Sequence, residues 1–231
     1  MCIGALIVAG LPGGFDSTDV ERLGRLTYDG GMGFNKHNYT IEDGWLSAAR
    51  RVPTENFEMR PLGCVPELLV IHNISLPPGQ FGGDCIERFF TNCLDWDAHP
   101  FFDEIRGLRV SSHLLIQRDG QLLQFVSFKD RAWHAGLSEF QGRDNCNDFS
   151  IGIELEGTDL LPYTDAQYAA LTSATSALLY CYPDMRRECI VGHSDIAPGR
   201  KTDPGPAFDW QRFRSAIAAD LKESVTCLFS H

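Results

Sequence analysis

The stretch from Phe149 to Leu155 constrains this chain more than any other. Phe149, Ile151, Ile153 and Leu155 alternate with Ser150, Gly152 and Glu154, so the segment reads as a strand with one apolar and one polar face. Gly152 beside Glu154 clears space on the polar face, as the floor of a cleft would require. The apolar face has to be covered, and the chain supplies a cover at once. Thr164 and Gln167 form a capping box that opens a helix with Tyr168, Leu171, Leu178 and Leu179 inward, ended by Pro183. A short apolar run from Cys189 to Val191 then reads as a buried strand.

The other segments repeat this interleaving. Glu67 to Ile71, after Pro66, is an apolar strand that ends in His72 and Asn73 and dissolves into Pro77-Pro78-Gly79. Asp84 and Glu87 have capping-box spacing, and Ile86, Phe89, Phe90 and Cys93 follow at one helical face. Ser112 to Gln117 and Gln121 to Val126 read as a hairpin around Asp119-Gly120, with Trp133-His134-Ala135-Gly136 in the loop beyond. Asp209 caps a last helix through Trp210, Phe213, Ile217 and Leu221. About five strands and three helices, interleaved, predict an α/β (α+β) fold with a central mixed β-sheet flanked by helices.

Composition limits the partners. Of 231 residues, 43% are hydrophobic and 22% charged, as in an ordinary globule with one core. A net charge of −11 disfavours nucleic acid, anionic membrane surfaces and an anionic cell wall as electrostatic partners, and leaves a small soluble ligand open. No stretch approaches the ~18 apolar residues of a membrane span. The start, MCIGALIVAGLPGG, is apolar but has no basic region before it, which disfavours a secretory signal. A poorly ordered N-terminal extension over 1–41, a globular domain over 42–223 and a tail over 224–231 are expected. The eight cysteines (Cys2, Cys64, Cys85, Cys93, Cys146, Cys181, Cys189 and Cys227) include no C-x-x-C pair, and several fall in apolar patterns. Reduced thiols in a cytoplasmic setting are expected.

The segment VGHSDIAPGRKTDPG, Val191 to Gly205, concentrates the chemistry. Pro198-Gly199 favours a turn, which would bring His193, Lys201 and Asp203 to one place. His72 and His193 each follow a buried strand, where ligands of such sheets collect. With Asp203 they give two imidazoles and a carboxylate, the open zinc site of a hydrolase. Glu154 is a candidate general base, with Glu156 as its rival on the same face. Lys201 could stabilise an oxyanion or be a surface lysine. His113, inside the hairpin, reads as a packed core histidine. His99 and His134 are loop residues open to either reading, and His37 and His231 fall in the tails.

VIHNISLPPGQFGG, SSHLLIQRDG, RAWHAG, NDFSIGIELEGTD and VGHSDIAPGRKTDPGPAFDW together resemble the AmpD-like branch of the zinc-dependent N-acetylmuramoyl-L-alanine amidases, whose fold is shared with T7 lysozyme and the peptidoglycan-recognition proteins. The resemblance runs from about Glu42 to Ala219. It implies a zinc amidase domain over 42–223, with Zn²⁺ on His72, His193 and Asp203. It implies Glu154 as catalytic acid/base, Lys201 as transition-state partner, and Asn73, Arg109, Trp133, Ala197 and Arg200 as ligand contacts. The implied substrate is a soluble anhydro-muropeptide, cleaved between N-acetylmuramic acid and L-alanine in cytoplasmic murein recycling, with an effect on β-lactamase induction. Asn145 departs from the family, since an arginine that helps bind the muropeptide is expected there. Two rivals remain, an exported amidase acting on intact wall and a binding module of the same fold. A cysteine-nucleophile hydrolase is a distant third.

Overall fold

The fold is set by strands that pair in parallel and are therefore buried on both faces. The computed structural model describes residues 39–228, with side chains through 221. Its main sheet has six strands: β1 (Arg50–Arg51), β2 (Leu68–Ile74), β3 (Leu114–Ile116), β4 (Leu122–Gln124), β5 (Ser150–Glu156) and β6 (Ile190–Gly192). In space the order is β6-β2-β5-β3-β4-β1. β6, β2, β5 and β3 run parallel, β3 and β4 form an antiparallel hairpin, and β1 lies parallel to β4. The expected mixed sheet flanked by helices is the observed one.

Alternation sorts the two faces. Leu69, Ile71, Ile151, Ile153 and Leu155 pack with Leu171, Ala174 and Leu178 of α2 (Asp165–Cys181) and with Phe213 and Ile217 of α4 (Trp210–Leu228). Across the sheet, Leu115 and Leu123 meet Ile86, Phe89 and Phe90 of α1 (Cys85–Phe90), while Leu68 and Val70 meet Ala135, Phe149 and Ile196. The polar face of β5 is therefore covered too, and Ser150 and Gly152 are buried beside half-buried Glu154. A central strand flanked on both sides by parallel neighbours has no solvent face.

Local signals hold unevenly. Thr164 Oγ1 accepts from Gln167 N and Gln167 Oε1 from Thr164 N, so the second capping box forms as expected. The first does not. Asp84 makes no cap, and its carboxylate pairs with Arg88 at 2.6 Å. That helix stops at Phe90, one turn short of the expected face, and Cys93 lies exposed beyond Asn92, whose φ is +60°. The hairpin turn forms as read. Gly120 has φ +87° and donates to Gln117 O, and Asp119 Oδ1 accepts from Gln121 N. β2 runs three residues past the expected end, because its ladder with β5 continues through His72, Asn73 and Ile74.

Of the expected extension over 1–41, residues 1–38 lie outside the described residues, whereas Tyr39 and Ile41 pack against the core. Of the expected tail, α4 takes in residues 224–228, and 229–231 lie outside the described residues. No described helix is long and apolar enough to cross a membrane.

Leu171 is fully buried under the sheet, whereas Leu62 is fully exposed. Leu171→Ala should therefore cost about 2–5 kcal/mol and Leu62→Ala less than about 0.5 kcal/mol in urea unfolding. Equal costs would contradict the core assignment.

Candidate active site

The parallel strands deliver side chains to one edge. In register, His72 of β2 stands level with Glu154 of β5. On the other flank of β2, β6 ends at Gly192 and passes directly into α3 (His193–Ile196), which starts with His193. The segment after α3 then folds back. Arg200 N and Lys201 N both donate to Ala197 O, Gly199 takes φ +76°, and Ser194 N donates to Asp203 O at 3.0 Å. Gly192 makes the return close, since a Cβ there would fall 2.8 Å from Pro204 Cδ. The expected turn at Pro198-Gly199 thus sets Asp203 against His193.

Three donor atoms converge. His72 Nδ1 lies 3.0 Å from His193 Nδ1, and each is 3.1 Å from Asp203 Oδ2. Among the described residues this is the one group of three or more His, Cys, Asp or Glu side chains arranged to hold a metal. A tetrahedral ion with bonds of about 2.0–2.1 Å needs donors about 3.3 Å apart, so this triangle fits with shifts of a few tenths of an ångström. Both histidines are buried, and each points its other ring nitrogen at a partner. His193 Nε2 faces Ala135 O at 3.1 Å, and His72 Nε2 faces His134 Nδ1 at 2.9 Å.

The two carboxylates nearby are pushed in opposite directions. Burial lifts the Glu154 carboxyl well above its ordinary value, the Asp203 charge adds to this, and Lys201 opposes it. Its Oε2 is fully buried without a hydrogen-bond partner. For Asp203 burial also favours the neutral acid, yet the His193 and His72 imidazoles, each 3.1 Å from Oδ2, prevail and hold it below the usual carboxylate range. Glu156 has a different task. It is buried, and its two oxygens accept from Gly82 N at 2.5 Å and Arg118 N at 3.0 Å, which ties two loops to the end of β5.

The other expected residues are dispersed around this edge. Lys201 is exposed on the return loop, its charge felt by His72 and Glu154. Asn73 Nδ2 donates to Asp159 Oδ1 at 2.8 Å. Trp133 keeps a buried Nε1 with no partner. Ala197 caps α3. Arg200 donates to Ala135 O and Leu137 O at 2.7 and 2.6 Å. Arg109 is exposed and donates from Nε to Asn56 Oδ1 at 3.1 Å. Asn145 takes a left-handed φ of +57°. His113 is the core histidine expected, accepting from Gly152 N and facing Asp130 O, and His99 caps a 3-10 helix through Phe101 N. The space above Gly152 is filled rather than open, since a Cβ there would fall 2.5 Å from His134 Cγ. The six cysteines whose side chains are described are free.

At the carboxyl ends of a mixed sheet the chain thus gathers two histidines and a carboxylate, a donor set of the kind zinc hydrolases use, with the Glu154 carboxyl on the adjacent strand. Comparison with known proteins agrees. Residues 62–206 match the family described as N-acetylmuramoyl-L-alanine amidase. The 1,6-anhydro-N-acetylmuramyl-L-alanine amidase AmpD of Escherichia coli K12 is 61% identical over 180 residues, covering 78% of this chain and 98% of that protein. The protein of the same name from Citrobacter freundii is 55% identical over 186 residues, covering 80% and 99%. A crystal structure of a selenomethionine AmpD derivative superimposes with a TM-score of 0.75 at 58% identity, covering 77% of this chain and 98% of that one. The chain belongs to the N-acetylmuramoyl-L-alanine amidase family.

The buried rings generate a pH prediction. Burial drives the His72 pKa down to about 4 against the hydrogen bond with Asp203, and it also holds His113 and His134 well below their ordinary value. The unfolded chain protonates these rings as pH falls through about 6.5, whereas the folded chain resists, so stability is lost from there toward pH 4. Glu154 acts oppositely, because its raised pKa makes the folded state the better proton binder above its ordinary 4.5. Three rings outweigh one carboxyl. The metal-free protein should therefore be less stable at pH 5 than at pH 7.5 by at least about 2 kcal/mol in urea unfolding. Equal stability at the two pH values would show that the rings are not held neutral.

Proposed function

We propose that this chain is a zinc-dependent amidase that cleaves the bond between the lactyl group of 1,6-anhydro-N-acetylmuramic acid and L-alanine in soluble muropeptides. The observation that carries this reading is the Glu154 carboxyl, buried, unpartnered at Oε2 and level with His72 of the donor cluster. The names of the relatives at 61% and 55% identity support the substrate.

In this reading His72, His193 and Asp203 hold Zn²⁺. When bound, Zn²⁺ supplies Lewis acidity toward water and the amide carbonyl. Glu154 takes a proton from the attacking water and returns it to the L-alanine nitrogen as the C–N bond breaks, since the amine leaves readily only once protonated. Burial raises its pKa above the ordinary carboxyl value, the direction that favours proton donation to the leaving nitrogen. Lys201 brings positive charge to the developing oxyanion. Asn73, Arg109, Trp133, Ala197 and Arg200 serve the ligand side, where Trp133 Nε1 offers an unpartnered donor. Residues 42–223 carry the catalytic domain, with Tyr39 and Ile41 packed on its core and α4 continuing through 228. A net charge of −11 and free thiols support a cytoplasmic enzyme of murein recycling, one that lowers the muropeptide signal for β-lactamase induction.

Metal analysis and hydrolysis of an anhydro-muropeptide test this reading together. Asp203→Ala should lose both zinc and turnover, and a variant that keeps both would disprove the metal site. Glu154→Gln should keep zinc while kcat falls by about 10²–10⁴. Near-normal turnover in that variant would assign the proton transfers to another group.

A further inference from the structure

Both candidate ligands present Nδ1 to the centre, so the proton on each Nε2 decides whether Nδ1 has a lone pair to offer. For His193 the partner settles this. Ala135 O only accepts, so Nε2 carries the hydrogen. For His72 the partner is another imidazole. His134 Nδ1 lies 2.9 Å from His72 Nε2, and His134 Nε2 lies 3.2 Å from Ser150 Oγ. The serine hydroxyl can accept or donate, so this chain of groups has two directions. In one, His72 Nε2–H donates to His134 Nδ1 and His134 Nε2–H donates to Ser150 Oγ, which leaves His72 Nδ1 bare. In the other, His134 Nδ1–H donates to His72 and the remaining proton of neutral His72 moves to Nδ1, where it blocks ligation.

The placement of His134 is over-determined. Its ring lies against β5 where Gly152 has no side chain, because a Cβ would fall 2.5–2.8 Å from ring atoms Cγ, Nδ1 and Cδ2. Its backbone is pinned by buried Asn147, whose Oδ1 accepts from His134 N at 3.1 Å and from Ala135 N at 2.8 Å. The ring meets His72 edge-on, with centroids 5.0 Å apart and planes at 87°. Residues 134 and 135 therefore receive the outer nitrogens of both histidines, one through a side chain and one through a carbonyl.

We propose that His134 is a positioning residue for the metal centre, holding His72 in the Nε2–H tautomer and orientation that offers Nδ1 to Zn²⁺, with Gly152 making room for its ring. This rests on the metal-site reading above.

The test is zinc affinity of the full chain, measured by competition with a chromogenic chelator, together with the visible absorption of the cobalt-substituted protein. His134→Leu should weaken zinc binding by about 10–100-fold and alter the cobalt bands. Gly152→Ala, which pushes the ring aside, should do likewise. His134→Asn, whose Oδ1 can accept from His72 Nε2, should recover most of the affinity, which a purely space-filling role would not give. Ser150→Ala removes a single hydroxyl and should cost a smaller, several-fold loss, so it decides the matter if the leucine variant fails to fold. Wild-type affinity and cobalt bands in His134→Leu, or in Ser150→Ala and Gly152→Ala together, would overturn the proposal, as would equal loss in the leucine and asparagine variants. If the wild type binds no zinc, or Asp203→Ala binds it as tightly, the metal-site reading itself falls and this inference falls with it.

Discussion

The parallel ladder between β2 and β5 is the constraint on which the rest depends. It spans seven residue pairs from Leu68–Ser150 to Ile74–Glu156, with apolar cover on both faces. Side chains alternate, so a register fixed by buried Leu69, Ile71, Ile151 and Ile153 also fixes what lies opposite. His72 and Glu154 are then delivered level with each other, on the face away from α2 and α4. A slip of one residue between the strands would turn one of them toward the helices and bury a polar group in a hydrocarbon layer. The apolar core therefore determines where the Glu154 carboxyl sits relative to the candidate metal cluster.

Electrostatics sorts the two carboxyls by partner rather than by depth. Both are partly withdrawn from water. Asp203 has two imidazoles on one oxygen and remains ionised, whereas Glu154 has an unpartnered oxygen and an anionic neighbour and is pushed toward the acid form. Divergent environments of this kind set chemically equal groups to titrate apart. Lys201, on the return loop, moderates the Glu154 shift without being buried itself.

Much of this was legible in the sequence, and the failures have physical causes. The Ser150–Leu155 alternation, the Thr164–Gln167 cap and the Asp119-Gly120 turn are local signals and formed locally, whereas Phe149 precedes the strand and packs on the opposite face with Leu68 and Val70. The convergence of His72, His193 and Asp203 was legible in part, since His193 follows a buried strand and Asp203 a turn, whereas His72 stands within β2. The end of β2 was misread because its last pairs depend on β5, some 80 positions away, and not on local composition. Asp84 had cap spacing but a closer cationic partner in Arg88, and the ion pair won. The open space inferred above Gly152 was real as a missing side chain and wrong as a cavity. Nothing in the spacing of Gly152 and His134 announces that one accommodates the other.

Arg200 extends this organisation outward. Its guanidinium donates to Ala135 O and Leu137 O, and Ala135 O also faces His193 Nε2. The loop that carries Asp203 and the loop that carries His134 are thus joined by one cation bridging two carbonyls, at a point where a ligand imidazole is also attached. Mechanically they are a single jaw. A thermal fluctuation that widens one side of the cleft must carry the other with it or break a charged hydrogen bond, which couples the two loops on either side of the candidate metal cluster.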